Sequence, residues 1–175
     1  MSFRHRVIGR LALLFLVSTA LPAVGDPVVP PPPPMPMPMS SASPLAMQRI
    51  AVQAAFLAGL PRSSVTVKER DGLATYGGVA LGAVLARAGI PQGKDLRGPM
   101  LGQVAVVVAS DGYRVAFAFP ELDPAFTDRI VLLADMKNGQ PLDAKSGPFR
   151  VIVPDEKREA RWIHSVTEID IETPA

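Results

Sequence analysis

Cysteine is absent from all 175 residues, and that absence closes several routes at once. No disulfide, thiolate nucleophile, cysteine-ligated zinc or iron–sulfur centre, or acyl-anchor cysteine is open to the chain, so its core alone must hold the fold. Histidine is nearly as scarce, with His5 and His164 the two in the sequence. That excludes a histidine cage for a metal. A Ser-His-Asp arrangement would rest on His164 alone, which stands beside Trp162 with no orienting partner in view; a packed surface role is the better reading. Also missing are a Gly-rich phosphate loop with Lys, a nucleophile-elbow serine and a His-Glu-x-x-His helix. No 20-to-50-residue repeat is visible.

Residues 1–25 read as a signal peptide. Arg4, His5, Arg6 and Arg10 make a basic start, Leu11 to Leu21 is a nearly unbroken apolar segment, and Ala23-Val24-Gly25 offers a small-x-small cleavage site before Asp26. The apolar segment is shorter than the ~20 residues a spanning helix needs, and no twin-arginine pair precedes it. Export by the general route is therefore expected, to the periplasm or the medium, with membrane contact only during export. Of 18 Lys and Arg, three (Arg4, Arg6, Arg10) fall in this segment, leaving 15 against 16 Asp and Glu, a net of −1. That balance argues against nucleic acid, which calls for a basic stripe. Residues 26–44 follow as a Pro/Met-rich linker. Pro30 to Pro34 favours extended polyproline II, and Met35, Met37 and Met39 alternate with Pro36 and Pro38. Thioethers suit Cu(I), but three on an extended arm define no coordination geometry, so a spacer is preferred over a copper arm.

Residues 45–175 are long enough for one domain with its own core. Ser43-Pro44 can cap a helix in which Met47, Ile50, Ala54 and Leu57 share a face. Alternatively Ile50 to Val52 form a short strand leading into a shorter helix; periodicity leaves both open. Val65 and Val67 alternate with Thr66 and Lys68 in a half-buried strand ending at Asp71-Gly72. Leu73 to Tyr76 returns, and Gly77-Gly78 is expected to break it. Leu81, Val84, Leu85 and Ala88 form a clean apolar stripe closed by Gly89 and Pro91, the firmest helix of the chain.

Val104 to Ala109 reads as a strand buried on both faces. Asp111-Gly112 turns it into Tyr113 to Phe119, where Tyr113, Val115, Phe117 and Phe119 share a face. Pro120 to Asp128 is a short helix or turn whose Glu121, Asp123 and Asp128 are better placed to cap and turn than to pair as acid and base. Ile130 to Ala134, Phe149 to Val153 and Ile163 to Ile171 complete the strands. The last is expected to place Ile163, Thr167, Ile169 and Ile171 on one face and Trp162, His164, Val166 and Glu168 on the other. Hairpin-spaced strands around one firm helix give an α+β domain.

One stretch reads as a site. Asn138-Gly139 is a strong tight-turn pair because both residues tolerate positive φ. After Gly147-Pro148, a single Arg150 interrupts the apolar run Phe149 to Val153. An arginine there either lies on the wet face of an edge strand, pairs with a carboxylate such as Asp155, or faces an anion. Asn138-Gly139, likewise, is either part of that site or only a hairpin turn.

The order of motifs carries a resemblance. Tyr76-Gly77-Gly78-Val79-Ala80-Leu81 followed by Leu85-Ala86-Arg87-Ala88-Gly89-Ile90 is similar to a block of the molybdopterin-binding domain of the sulfite oxidase family. Ser110-Asp111-Gly112-Tyr113 resembles that family's Asp-Gly-Tyr hairpin. Leu132-Leu133-Ala134, Asn138 to Leu142, Gly147 to Pro154 and Arg161-Trp162-Ile163 resemble its closing blocks in the same order, so the likeness spans roughly residues 60–172. It implies an α+β domain on a mixed β-sheet that cradles molybdopterin. In the family, the metal catalyses oxygen-atom transfer or reduction with a cysteine thiolate as protein ligand. Here the ligand would be expected near Val67 to Arg70, where no cysteine stands, so no cysteine-ligated metal is expected. Lys145-Ser146 stand where the family often has His-Gly.

By that likeness, Arg150 and Arg161 would meet the anionic phosphate end of a pterin, as bidentate guanidinium groups suit phosphate. Asn138 and Gly139 would shape the neighbouring loop, with Gly147 in the same cofactor-side set. Three functions stay open. The first is an exported module that binds a pterin-type or other small anionic ligand without catalysis. The others are a molybdenum oxidoreductase lacking the cysteine ligand, and a cofactor-free protein that serves a periplasmic redox partner. The first is preferred.

Overall fold

The structure is a computed structural model and describes residues 48–174; the expected signal peptide, linker and Ser43-Pro44 cap lie outside them. The described chain begins as strand β1, Gln48–Ala51, followed by a four-residue helix α1, Ala54–Leu57. Of the two readings of this segment, the strand and shorter helix is therefore the one found. β2 (Arg62–Glu69) and β3 (Gly72–Ala80) form a hairpin, and α2 (Leu81–Arg87) follows directly. β4 (Val104–Ala109) and β5 (Arg114–Ala118) make a second hairpin. β6 (Leu132–Lys137), a two-residue β7 (Gln140–Pro141), β8 (Arg150–Ile152) and β9 (Val166–Glu172) complete the order.

The strands form two sheets. One runs β1-β9-β4-β5; the other runs β2-β3-β6-β7, with β8 also paired to β6. Every pairing among the described residues is antiparallel, so the expected mixed sheet is corrected to two antiparallel ones. Three of the seven pairings, β2-β3, β4-β5 and β6-β7, are joined by turns of two to four residues, which only antiparallel pairs accept. α2 packs Leu81, Val84 and Leu85 into one core shared with Val107, Phe117 and Ile169 of the first sheet and Tyr76, Leu133 and Val151 of the second.

Two local expectations are corrected. Gly77-Gly78 does not end its strand; β3 runs through it, with a bulge in its pairing to β6 at that point. A Cβ on Gly78 would lie 2.1 Å from the Leu133 carbonyl oxygen, so glycine serves close backbone approach here rather than strand breaking. The last strand begins only at Val166, after Ser165 turns with φ +52°. A register shift against Val108–Ala109 then buries Val166 and leaves Thr167 exposed, the reverse of the simple alternation expected.

Other expectations hold in the structure. α2 ends at Arg87 with Gly89 at φ +88°. Asn138 and Gly139 both take positive φ, 50° and 79°, at the β6–β7 turn, as a primed hairpin turn requires. Glu121 accepts the Ala118 N–H, and Asp123 accepts those of Gly93 and Ala125, so these carboxylates do cap and turn.

Candidate functional site

Arg150 opens β8, and its pairing with Ala134 places it across from β6 and one strand further from β3. This sets the guanidinium beside Tyr76, whose side chain is fully buried. Arg150 Nη1 donates to the Tyr76 hydroxyl at 3.1 Å. The guanidinium also lies 5.7 Å from the Tyr76 ring centroid and 5.8 Å from that of Trp162, within cation–π range of both. Its Nε is buried and has no hydrogen-bond partner among the described residues. The nearest carboxylate is Glu159, with Oε2 at 3.8 Å from Nη2. Asp155, the partner weighed from sequence, pairs instead with Arg129 at 3.0 Å.

Two clefts meet at this arginine. The first, about 370 Å³, is lined by Asp111, Tyr113, Arg150, Glu159, Trp162 and His164 among others. The second, about 360 Å³, is walled by Glu69, Arg70, Asp71, Lys137, Arg150 and Glu159. Each is of the size that takes a small organic ligand. The hairpin turn at Asp111-Gly112 supplies one wall of the first: Tyr113 N–H donates to the Asp111 carboxylate at 2.9 Å, and its hydroxyl donates to the Ala160 carbonyl at 3.1 Å.

Behind Arg150 the buried phenol joins a charged network. Tyr76 donates to Glu69, and Lys137 Nζ donates to the other Glu69 oxygen at 2.7 Å. Burial resists the Glu69 charge, but the hydrogen bonds from Lys137 and Tyr76 outweigh it and hold the carboxyl below its usual range. Burial and the bond to Glu69 push the Tyr76 phenol up, and Glu69 likewise raises Lys137. The network therefore stays as neutral phenol, carboxylate and ammonium around neutral pH, and it fixes the floor on which Arg150 rests.

The other sequence candidates fall elsewhere. Arg161 lines neither cleft. Its guanidinium is bound to Glu156, with Nε at 2.7 Å, to Glu121 at 3.3 Å and to the Ala116 carbonyl, and it stacks 4.6 Å from the Phe117 ring. Burial opposes its charge, yet Glu156 and Glu121 raise its pKa. Asn138 and Gly139 are exposed at their turn, where the Asn138 side-chain oxygen accepts the Thr75 N–H at 2.8 Å. Gly147 is buried in the loop before β8, its N–H bonded to the Asp143 carbonyl. Of the five candidates the structure brings only Arg150 to the clefts. Sequence reasoning missed Glu69, Tyr76, Lys137 and Glu159. Tyr76 offered the one usable signal, an aromatic next to a glycine pair; Glu159 is one acid in a run of surface charges.

The residues fit one end of a pterin cofactor better than the other. An arginine whose Nη2 makes no hydrogen bond among the described residues, flanked by aromatics in a cleft of suitable volume, suits an anionic group joined to a flat ring. The Val67-to-Arg70 segment, where a thiolate would be expected, brings Glu69 and Arg70 to the second cleft. Glu69 is already held by Lys137 and Tyr76. Among the described residues, no three of His, Cys, Asp and Glu gather as a metal site. A family model described as the oxidoreductase molybdopterin binding domain matches residues 53–174, which takes in every element from α1 to β9. No curated protein matches the chain.

Proposed function

The chain belongs to the oxidoreductase molybdopterin binding domain family, and from that premise we propose that it is an exported binding module. Its ligand is a pterin-type or other small anionic molecule held at Arg150, and it performs no redox chemistry of its own. The observation that carries this reading is the Arg150 side chain, 17% exposed and lining both clefts, whose guanidinium makes one hydrogen bond among the described residues, Nη1 to Tyr76, and leaves Nη2 3.8 Å from its nearest carboxylate. A ligand acceptor at Nη2 would add a charged hydrogen bond, of the kind worth about 1.5–3 kcal/mol. Tyr113 and Trp162 supply apolar and aromatic surface for a ring beside it. Molybdopterin, when bound, would bring a dithiolene-held metal capable of oxygen-atom transfer. This chain's share would be to bind and orient that group, with Arg150 at its phosphate. No thiolate from the chain can complete the metal's coordination, which favours a module over an enzyme.

The test is to purify the protein from a molybdenum-replete host, measure metals, and read pterin fluorescence after denaturation and oxidation. The expected result is pterin released by the wild type and lost from Arg150→Ala. Stoichiometric molybdenum with turnover of an oxygen-atom donor would overturn the non-catalytic reading. Protein that releases no pterin and binds neither added pterin nor phosphate would overturn the binding reading.

A further inference from the structure

Resting on that reading of the cleft, we infer that Glu159 is a built-in counter-anion for Arg150, one that an incoming anion must displace, and that it sets the charge of ligand the cleft accepts. Glu159 is one of two residues that line both clefts, the other being Arg150. Its Oε2 stands 3.8 Å from Arg150 Nη2, close enough to neutralise the guanidinium and too far for a hydrogen bond. A carboxylate at that distance occupies the side from which a ligand anion would come without satisfying the arginine.

The geometry allows the side chain to leave while the backbone stays. Glu159 opens a three-residue 3-10 turn, Glu159–Arg161. The Ala160 carbonyl is held by the Tyr113 hydroxyl, and Arg161 is tied to Glu156 and Glu121. The Glu159 side chain is 53% exposed and makes no hydrogen bond among the described residues to hold it. Rotating it toward water breaks only a weak ion pair, of the kind worth about 1 kcal/mol or less.

The charge balance gives the consequence. The first cleft carries Arg150 against two carboxylates, Asp111 and Glu159, and these three side chains sum to −1. A dianion meets net repulsion there until Glu159 turns away, whereas a neutral ring does not. Glu159 thus penalises each added negative charge, and its removal should favour anions selectively.

The experiment uses the full chain and three probes: 6-hydroxymethylpterin, which is neutral, 6-carboxypterin, and inorganic phosphate. Binding is read from quenching of Trp162, the one tryptophan in the sequence and part of the cleft wall, and for phosphate by calorimetry. In Glu159→Gln, 6-carboxypterin and phosphate should bind about five-fold tighter, the neutral pterin unchanged, as loss of a partly exposed opposing charge implies. Binding by the wild type that is equal or weaker in Glu159→Gln overturns this inference and leaves the cleft reading standing. Equal tightening of the neutral pterin also overturns it, since that would be a steric effect. If neither protein binds any probe, the reading of the cleft fails and the inference fails with it.

Discussion

Arg150 and Arg161 flank the same closing segment of the chain, and the same likeness assigned both to an anion, yet their surroundings differ in kind. Arg161 is saturated: two carboxylates, a backbone carbonyl and the face of Phe117 account for its guanidinium. Among the described residues, Arg150 is held by one phenol and two ring faces, and its Nη2 meets its nearest carboxylate only at 3.8 Å. The first arrangement stiffens a turn. The second leaves a cation available in a cleft. Residue type alone does not separate a structural arginine from a binding one; what separates them is whether the protein itself completes the hydrogen bonds.

The comparison depends first on the scaffold beneath Arg150. Gly78→Ala would drive a methyl into the Leu133 carbonyl and separate β3 from β6, so a loss of about 3 kcal/mol or more is expected in denaturant unfolding. A variant as stable as the wild type would show that the sheet can yield there. Next in size, Arg161→Ala should cost about 2 kcal/mol, because Glu156 is left partly buried without its cation, while Glu121 keeps Arg129 at 3.4 Å. Ligand affinity should stay within about two-fold, a change near the scatter of uncoupled sites. A large affinity loss with unchanged stability would reverse the roles assigned to the two arginines.

Arg150→Ala should do the opposite. Pterin or phosphate affinity should fall at least about ten-fold, the range for one charged hydrogen bond, while the melting temperature stays nearly unchanged. A stability loss equal to that of Arg161→Ala, with affinity intact, would make Arg150 structural as well. The smallest effect concerns Glu69. Its carboxyl is held low in the folded protein, so its contribution to stability is present above the ordinary glutamate range and is lost as pH falls through the lowered value. Melting temperature should therefore decline on acidification below about pH 4.5, and Glu69→Gln should flatten part of that decline. An unchanged acid limb in Glu69→Gln would place the titration elsewhere.

Much of the fold could be read locally. Asn138-Gly139 signals a tight turn because both residues tolerate positive φ, and the turn is there. The stripe Leu81, Val84, Leu85 followed by Gly89 named α2, since a helical face and its stop are set by residues a few positions apart. Gly77-Gly78 was misread because glycine has two uses, breaking a strand or admitting a neighbour, and only β6 arriving at Gly78 decides between them. The register of β9 was missed for a similar reason: the shift at Val108–Ala109 comes from pairing with another strand. Within the site, Arg150 stood out as a lone cation in an apolar run. Tyr76, Lys137 and Glu159 did not, because their meaning lies in what they touch across β3, β6 and the turn before Trp162.

By itself, then, the sequence determined the absence of any thiolate, the hairpins and the firm helix, and the ordered blocks shared with the oxidoreductase molybdopterin binding domain family. These depend on composition or on residues close in the chain. Only the tertiary structure decided which arginine is satisfied, that Glu159 stands opposite the other, and that a buried phenol forms its floor. Hydrogen-bond completion is settled by residues far apart in sequence, so it exists only once β3, β6 and β8 lie side by side.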